Sequence, residues 1–370
     1  MQKPTISIIT SKWGHLSIAK AVQEINKNEG FQTYLNFIRI GKKSEELYSI
    51  FYRLFPKFFK LPFKLAENSK LSILLKIYLE SRYKAEIYSD IKRQKPDIII
   101  NTHFAFNSII EKLLATNNKL KFINIVADPR TIHKMLLSQK AYNFVFDQKA
   151  KFLCHKMGIP SEKIVVSGWF LRQDFHKKYE KEAVRKLLKF PPETFTIAII
   201  GGSAGAYNIV KIFPALINPP KRLHAIFICG ESQRLFTTLK TLSKVAAEKG
   251  SKLKITVYGF KSNIHLYLQA SDIVIGKAGP NLLFESVTTK TPFFAISHIS
   301  GQEDGNLSII KEYKLGFVEE NPIKATKLLR TLIRSPEKLK RFDGPLEKMA
   351  GYNAQAPLIL QKLVTEITKN

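Results

Sequence analysis

The stretch GKAGPNLLFESVTTKTPFFAISHISGQEDGN, Gly276–Asn306, determines the predicted fold of this 370-residue chain. The apolar runs at 271–275 and 292–297 have the length and composition of buried strands, and a short helix is predicted between them. The order strand, turn, helix, strand, turn places 277–281 and 301–306 at one edge of a parallel sheet, where α/β proteins bind ligands. Two small-residue turns beside a helix N-terminus suit a ligand that carries phosphate.

Three motifs in this stretch carry a family resemblance: KAGP at 277–280, Glu285 in the helix, and SGQEDGN at 300–306. They closely resemble the nucleotide-sugar site of the glycosyltransferases that make glycosyl diacylglycerols. These are the monogalactosyldiacylglycerol synthases and the processive diacylglycerol glucosyltransferases, relatives of the lipid II N-acetylglucosaminyltransferase. The family pattern is K-A-G-P, an acid in the helix and P-G-Q-E-x-G-N, so only Ser300 departs. The resemblance implies an α/β chain of the GT-B class, with two Rossmann-like domains facing across a cleft.

Length and composition agree with two domains in a reducing compartment. A chain of 370 residues exceeds the usual limit for one core. The two cysteines are too few for a disulfide framework, which favours a cytoplasmic protein. The N-terminus enters a strand directly, so we expect no secretory signal, and no run approaches the ~20 apolar residues that span a bilayer.

The net charge of +29 indicates attraction to a polyanion, which could be a nucleic acid, an anionic membrane or a phosphorylated substrate. A general lysine bias with solvated faces would give the same number. The charge alone therefore leaves the partner open.

The predicted linker, Gly168–Phe175, divides the chain. We expect an acceptor- and membrane-binding Rossmann-like domain at 1–172 and a UDP-sugar-binding Rossmann-like domain at 173–345. In two-domain transferases of this kind the last helix crosses back, so 346–370 is predicted to pack on the first domain.

A predicted strand-to-helix turn carries His15. A histidine at the carboxyl edge of a sheet is placed for general-base catalysis or a phosphate contact, or it simply caps the turn. The resembling enzymes have G-G-H here with the histidine beside the acceptor. Gly14 and His15 match, while Lys12 and Trp13 replace the earlier glycines. The resemblance thus makes His15 the candidate base, and Asp128, just past a later strand, could orient it or bind acceptor hydroxyls.

Two further histidines match the acceptor side of the family. Thr102 and His103 match the family's T-H-P, from which Phe104 departs. His133 follows Asp128 at the family's spacing, which implies a place in the acceptor cleft. For His103 the alternative is a histidine whose hydrogen bonds are satisfied within its turn.

The segment Leu47–Leu65 contains no acid, and two prolines prevent one continuous helix. Basic residues on one side with aromatic bulk elsewhere are typical of a segment lying in a membrane interface. A buried helical hairpin with snorkelling lysines and a nucleic-acid arm are the alternatives, but five phenylalanines and two tyrosines exceed what base stacking needs. The predicted acceptor and membrane contacts are Arg53, Phe55, Lys57, Phe58, Phe59 and Lys60.

A glycine-rich turn follows the first strand of the second domain. Its predicted diphosphate contacts are Gly202, Ser203 and Gly205. The same residues satisfy the nucleophile-elbow pattern of an α/β-hydrolase, whose triad would add Asp272 and His298. That reading leaves 276–306 unexplained.

The resemblance assigns the remaining donor contacts. Gly259 and Phe260 match the family's G-F, where the backbone meets the uracil; a core aromatic is the alternative for Phe260. Glu285 would hold the ribose, while Gln302 and Glu303 would read the sugar. Lys277 and Gly279 would contact the diphosphate, Asn306 would support the loop, and Pro280 completes the predicted donor-binding set.

No D-x-D pair or metal-ligand spacing appears, so we expect neither a metal nor a cofactor, and the leaving diphosphate must be stabilised by backbone donors and cations. The sequence thus predicts an inverting hexosyltransferase that moves a hexose from a UDP-hexose to diacylglycerol or a related lipid. It would act at the inner face of the cell membrane, as a peripheral protein on an anionic surface, with no nucleic-acid partner. The nearest alternative transfers N-acetylglucosamine to a polyprenyl-linked sugar; a hydrolase using Ser203 and a nucleic-acid-binding protein are more distant.

Overall fold

A computed structural model describes residues 3–12, 14–41, 69–201, 212–248 and 251–369. The chain forms two compact units. The first comprises Met1–Gln173, Ser300–Gly305 and Tyr352–Asn370, and the second comprises Asp174–Ile299 and Asn306–Gly351. The predicted membrane segment and the glycine-rich turn fall outside the described residues.

The first unit is built on a six-stranded parallel sheet in the order β2-β1-β3-β4-β5-β6. Near-continuous apolar strands such as IIIN in β3 are typical of a parallel sheet covered on both faces, and its residues are fully buried. The strands are β1 (Thr5–Thr10), β2 (Gln32–Phe37), β3 (Ile98–Asn101), β4 (Lys121–Ile125), β5 (Tyr142–Val145) and β6 (Ile164–Val166). The helices between them are α1 (Gly14–Asn28), α2 (Ser69–Gln94), α3 (Asn107–Thr116) and α4 (Gln148–Lys156).

The second unit has its own six-stranded parallel sheet, in the order β12-β11-β10-β7-β8-β9. Its strands are β7 (Phe195–Ile200), β8 (Leu223–Ile228), β9 (Leu253–Tyr258), β10 (Ile273–Lys277), β11 (Phe293–Ser297) and β12 (Gly316–Val318). From residue 181 to the end of the described chain the helices are α5 (Lys181–Leu187), α6 (Phe213–Leu216), α7 (Gln233–Glu248), α8 (Ile264–Ala270), α9 (Pro280–Thr288), α10 (Asp304–Glu312), α11 (Pro322–Arg334), α12 (Asp343–Asn353) and α13 (Ala356–Lys369). Of these, α13 belongs to the first unit.

Each sheet has one point at which the strand order reverses. In the first sheet this point lies between β1 and β3, and in the second between β7 and β10. Connections leave such a pair of strands toward opposite faces of the sheet, which opens a crevice at their carboxyl ends. His15 and His103 therefore lie at the crevice of the first sheet, and Lys277–Gly279 lies at the crevice of the second.

The α/β architecture with two Rossmann-like units confirms the predicted fold class. Neither β2 nor β12 was predicted from the sequence. β12 has only three half-buried residues, too few for a recognisable period. Its Gly316 has φ +150°, and a Cβ there would lie 1.8 Å from the Phe293 carbonyl oxygen, so pairing with β11 requires glycine.

The C-terminal residues 352–370 pack within the first unit. The amide of Trp169 donates to Asn353 Oδ1 at 3.0 Å, and the Tyr352 hydroxyl donates to the Phe146 carbonyl at 2.6 Å. Gly168 has φ +82°, and a Cβ there would lie 2.9 Å from the Tyr352 carbonyl oxygen. A glycine is thus needed both for the backbone conformation and for the close approach of the terminal helices.

Candidate active site

His15 is fixed by one hydrogen bond at the carboxyl edge of the first sheet. Its Nδ1 lies 2.6 Å from the carbonyl oxygen of Thr102. Because a carbonyl oxygen only accepts, Nδ1 carries the proton and Nε2 carries the lone pair. Burial lowers the pKa of His15 to about 4, and the hydrogen bond to Thr102 opposes that shift only in part. At neutral pH the ring is therefore uncharged, and Nε2 is unprotonated.

His103 packs against His15 and caps a short turn. The two ring centroids are 4.2 Å apart, with the rings tilted by 60°. The Ala105 amide donates to His103 Nδ1 at 3.3 Å, which leaves the proton on Nε2. Burial, and then the nearby His15, lowers the pKa of His103 well below its ordinary value. His103 therefore accepts a hydrogen bond within its own turn, as the structural alternative predicts, and its ring also packs against His15.

Asp128 and His133 lie in the connection after β4, which neighbours β3 in the sheet. Asp128 is buried. Between these residues, Arg130 forms a bidentate ion pair with Asp147 through its Nε and Nη2 atoms, and both side chains are buried. Removing one partner of a buried pair costs ~3–5 kcal/mol because it leaves a charge uncompensated. This ion pair fixes the connection that carries the predicted acceptor residues.

The KAGP motif forms a tight turn at the carboxyl end of β10. The Gly279 amide donates to the Lys277 carbonyl at 2.7 Å, and the Ala278 amide donates to the Ser297 carbonyl at 2.8 Å. Asn306, 1% exposed, donates from Nδ2 to the Ala278 carbonyl at 2.7 Å. The turn is thus held from both sides, by the end of β11 and by the first turn of α10.

The turn leads directly into the N-terminus of α9, which lies at the crevice of the second sheet. Gly279 is the N-cap and makes no side-chain capping hydrogen bond, and Pro280 occupies the first helical position. The backbone N–H groups of the first turn of a helix, together with its dipole, favour a bound anion. Gly276 allows the close packing behind the turn, because a Cβ there would lie 2.7 Å from Leu282 Cδ2.

The other predicted donor-binding residues differ in burial and in the unit to which they belong. Glu285 is half-buried in the second turn of α9. Phe260 follows β9 with 73% of its surface exposed, so the core-aromatic reading is wrong. Gln302 is half-buried and Glu303 is buried, and both belong to the first unit, whereas Lys277, Glu285 and Asn306 belong to the second.

Several predicted contacts lie outside the described residues. They are Gly202, Ser203, Gly205, Arg53, Phe55, Lys57, Phe58, Phe59 and Lys60. Within 3–12, 14–41, 69–201, 212–248 and 251–369, no group of three or more His, Cys, Asp or Glu side chains could hold a metal ion.

The predicted hydrolase triad does not form. Asp272 accepts from Lys181, from Arg185 Nη2 at 2.8 Å and from the Thr196 amide at 2.6 Å, at the start of β10. His298 lies at the other end of the sheet, after β11, where its Nδ1 is 2.8 Å from Glu320 Oε1. A strand separates the two ends, so Asp272 cannot orient His298 and the hydrolase interpretation is wrong.

The sequence matched Thr102 to a family motif but did not indicate that its backbone carbonyl fixes His15, and Ser297, whose carbonyl fixes the KAGP turn, was missed. A backbone acceptor leaves no signature in the residue type, so no signal in the sequence identifies these contacts. Thr131, whose hydroxyl accepts from the Gly305 amide, was also missed, because its partner lies 174 residues later in the chain.

Two family models match the chain. Residues 15–169 match the monogalactosyldiacylglycerol (MGDG) synthase family, and residues 196–307 match the C-terminal domain of glycosyltransferase family 28. A processive diacylglycerol β-glucosyltransferase of Bacillus cytotoxicus is 24% identical over 83% of this chain and 79% of its own length. A probable MGDG synthase 3 of rice, Oryza sativa subsp. japonica, is 27% identical over 74% of this chain and 55% of its own length.

Solved structures show the same fold at low sequence identity. The Arabidopsis thaliana protein UGT89C1, complexed with quercetin, aligns with a TM-score of 0.64 at 13% identity, over 99% of this chain and 100% of its own. Anabaena Alr3699/HepE, complexed with UDP-glucose, aligns with a TM-score of 0.59 at 13% identity, also over 99% and 100% of the two chains.

Two Rossmann-like units of this topology have the GT-B fold, and the match to the C-terminal domain of glycosyltransferase family 28 supports a glycosyltransferase. The two family matches together span most of the chain. Over these two regions the chain is similar to the UDP-sugar glycosyltransferases that include the MGDG synthases and the processive diacylglycerol glucosyltransferases.

The protonation state of His15 gives a direct test. We expect its imidazole to titrate near pH 4, well below the ordinary value of 6.5, and to be the Nδ1–H tautomer at pH 7. Because the folded pKa is the lower one, the stabilising contribution is complete above pH 6.5 and is lost as the pH falls through about 4. Nitrogen-15 NMR of the imidazoles measures both properties, with His15→Gln identifying the signal. A midpoint near 6.5 or the Nε2–H tautomer would refute the assignment.

The hydrogen bond from Asn306 to Ala278 gives a second test. In Asn306→Asp a carboxylate that only accepts faces a carbonyl oxygen, so the KAGP turn should shift and UDP affinity should fall by about tenfold or more. The matched control is Asn353→Asp, because the Oδ1 of this buried asparagine accepts from the Trp169 amide and a carboxylate can do the same. Calorimetry with UDP distinguishes them, and equal affinities in the two variants would contradict the role of Asn306.

Proposed function

We propose that the protein is an inverting hexosyltransferase that moves a hexose from a UDP-sugar to diacylglycerol or a closely related membrane lipid. The observation that carries the proposal is the KAGP turn, which presents an N-terminus of α9 without a side-chain cap at the crevice of the second sheet. Similarity to a diacylglycerol glucosyltransferase and to an MGDG synthase supports the lipid acceptor. The fold shared with a protein complexed with UDP-glucose supports the donor.

The donor diphosphate is assigned to the first turn of α9. Backbone N–H groups and the helix dipole stabilise the charge that grows on the leaving UDP, and the Lys277 ammonium adds a cation beside them. Glu285 accepts hydrogen bonds from the ribose. Asn306 Oδ1 is buried and has no hydrogen-bond partner among the described residues, a costly state that a hydroxyl of the donor sugar would relieve.

His15 is assigned as the base. Its Nε2 lone pair accepts the proton of the lipid hydroxyl while the hydroxyl oxygen attacks the anomeric carbon and the bond to UDP breaks. Attack opposite the leaving group inverts the anomeric configuration. The Thr102 carbonyl holds the Nδ1–H, so the ring keeps the tautomer that the reaction needs. Asp128 is proposed to bind the acceptor hydroxyls or orient the base.

An exposed apolar face on the first half of α2 supports membrane contact. Ile73, Leu74, Ile77 and Tyr78 are each 55–63% exposed. Further along the same helix Tyr83, Ile87 and Ile91 are buried in the core of the first unit. This apolar face has exposed Lys76, Arg82 and Lys84 beside it.

Apolar side chains with cations at their border are typical of a surface that enters the headgroup region of an anionic bilayer. The aromatic and basic segment 47–65 precedes this helix directly in the chain and has the same character. No helix in the described part of the chain is long and apolar enough to cross a membrane. We therefore propose a peripheral location on the inner face of the cell membrane.

The activity itself is tested with labelled donors. Purified protein is incubated with UDP-glucose, UDP-galactose or UDP-N-acetylglucosamine and with vesicles that contain diacylglycerol. We expect labelled glycolipid from one of the two hexose donors, with His15→Gln reducing turnover by ~100-fold or more while UDP affinity is kept. Transfer from UDP-N-acetylglucosamine to a polyprenyl-linked sugar, with no product on diacylglycerol, would replace the proposal with its nearest alternative.

The membrane surface is tested by replacing Ile73, Leu74, Ile77 and Tyr78 with serine. We expect partition onto vesicles rich in phosphatidylglycerol to fall by about tenfold or more, because each side chain loses apolar area that would enter the bilayer. The control replaces Leu187, Ile323 and Leu358, which are 65–80% exposed on other helices, with serine. Sedimentation with vesicles measures both variants, and an equal loss in the two would show that the α2 face has no special role.

A further inference from the structure

The backbone of Gly305 approaches the connection after β4 more closely than any other residue type would allow. Its amide donates to Thr131 Oγ1 at 3.1 Å. A Cβ on Gly305 would lie 2.4 Å from Arg130 Cβ and 3.0 Å from the Thr131 amide nitrogen. Both partners of this contact belong to the first unit. The glycine of the SGQEDGN motif is therefore required by space at this point.

The hydrogen bond satisfies a donor that the helix cannot satisfy itself. α10 begins at Asp304, so the Gly305 amide is one of the first-turn N–H groups that lack an acceptor within the helix. A side chain at the N-cap usually accepts from such a group. Here the acceptor is the hydroxyl of Thr131, which lies 174 residues earlier in the chain. The start of α10 is thus positioned by the connection after β4.

The backbone next to Thr131 is held by a buried ion pair. The preceding residue, Arg130, forms the buried bidentate pair with Asp147, and Asp147 Oδ1 also accepts from the Ala150 amide at the N-terminus of α4. The ion pair of its neighbour therefore limits the movement of the backbone that carries the Thr131 hydroxyl. Gln302 and Glu303 lie three and two residues before Gly305, the partner of this hydroxyl.

We infer that Thr131 is a positioning residue for the donor sugar: its hydroxyl fixes the start of α10 and thereby the placement of Gln302 and Glu303. The connection after β4 then does two things, because it also carries Asp128 of the proposed acceptor site. Thr131 is assigned no contact with the nucleotide or with the reacting atoms. The inference rests on the proposed function and on the role of Gln302 and Glu303 at the sugar hydroxyls, which the family resemblance implies.

The test compares Thr131→Val, which keeps the shape and removes the hydroxyl, with Thr131→Ser, which keeps the hydroxyl. In the full-length protein, calorimetry gives the affinities for UDP and for the UDP-hexose that the wild type binds. Loss of one hydrogen bond should weaken UDP-hexose by about fivefold relative to UDP in the valine variant, with UDP itself unchanged. The serine variant should restore the wild-type ratio, and Gly305→Ala should act in the same direction as valine.

Hydrogen exchange provides a readout that does not need activity. Amides at 303–306 should exchange faster in Thr131→Val than in the wild type or Thr131→Ser, because the Gly305 amide loses its acceptor. Unchanged exchange, an unchanged affinity ratio, or an equal loss of UDP and UDP-hexose would overturn the inference. A wild type that binds no UDP-sugar would instead count against the proposed function, and the exchange measurement would still decide the role of Thr131.

Discussion

The hydrogen bond from the side-chain amide of Asn306 to the Ala278 carbonyl is the contact on which the second unit's site depends. It joins two motifs that lie 28 residues apart, and it is buried, so the surrounding water cannot replace it. The Ser297 carbonyl holds the same turn from the other side. With both contacts made, the N-terminus of α9 points to a defined place at the crevice between β7 and β10. Site geometry of this kind needs little reorganisation when a charged ligand arrives.

In the first unit, too, a backbone carbonyl at the end of a strand fixes a residue of the site. His15 is fixed by the Thr102 carbonyl, which lies just past β3, as the KAGP turn is fixed by the Ser297 carbonyl at the end of β11. In both units a parallel sheet ends in carbonyl groups that its own ladder no longer uses. Polar groups of the neighbouring connection bind to these ends, and the resulting structure is rigid where the chemistry is expected. The neutral ring of His15 follows from this placement, since burial at the crevice disfavours the imidazolium.

Much of this organisation could be predicted from the sequence. Runs such as TISIIT and IIIN identify central strands, and KAGP followed by a helix places an anion site at a strand end, because these patterns depend on neighbouring residues alone. Contacts between distant segments could not be predicted. Nothing near Thr131 indicates a partner at 305, and the cap that His103 provides depends on the exact turn that follows β3. The hydrolase triad failed for a related reason: a short pattern names Asp272 and His298 without stating that they lie at opposite ends of the sheet.

The proposed donor site places the uridine diphosphate at the crevice of the second sheet, with its phosphates at the N-terminus of α9. A crystal structure of the protein grown with UDP would show this directly. We expect phosphate oxygens within hydrogen-bonding distance of the backbone amides of Asn281 and Leu282, and ribose hydroxyls within hydrogen-bonding distance of the Glu285 carboxylate. Density for the nucleotide at the crevice of the first sheet, beside His15, would contradict it.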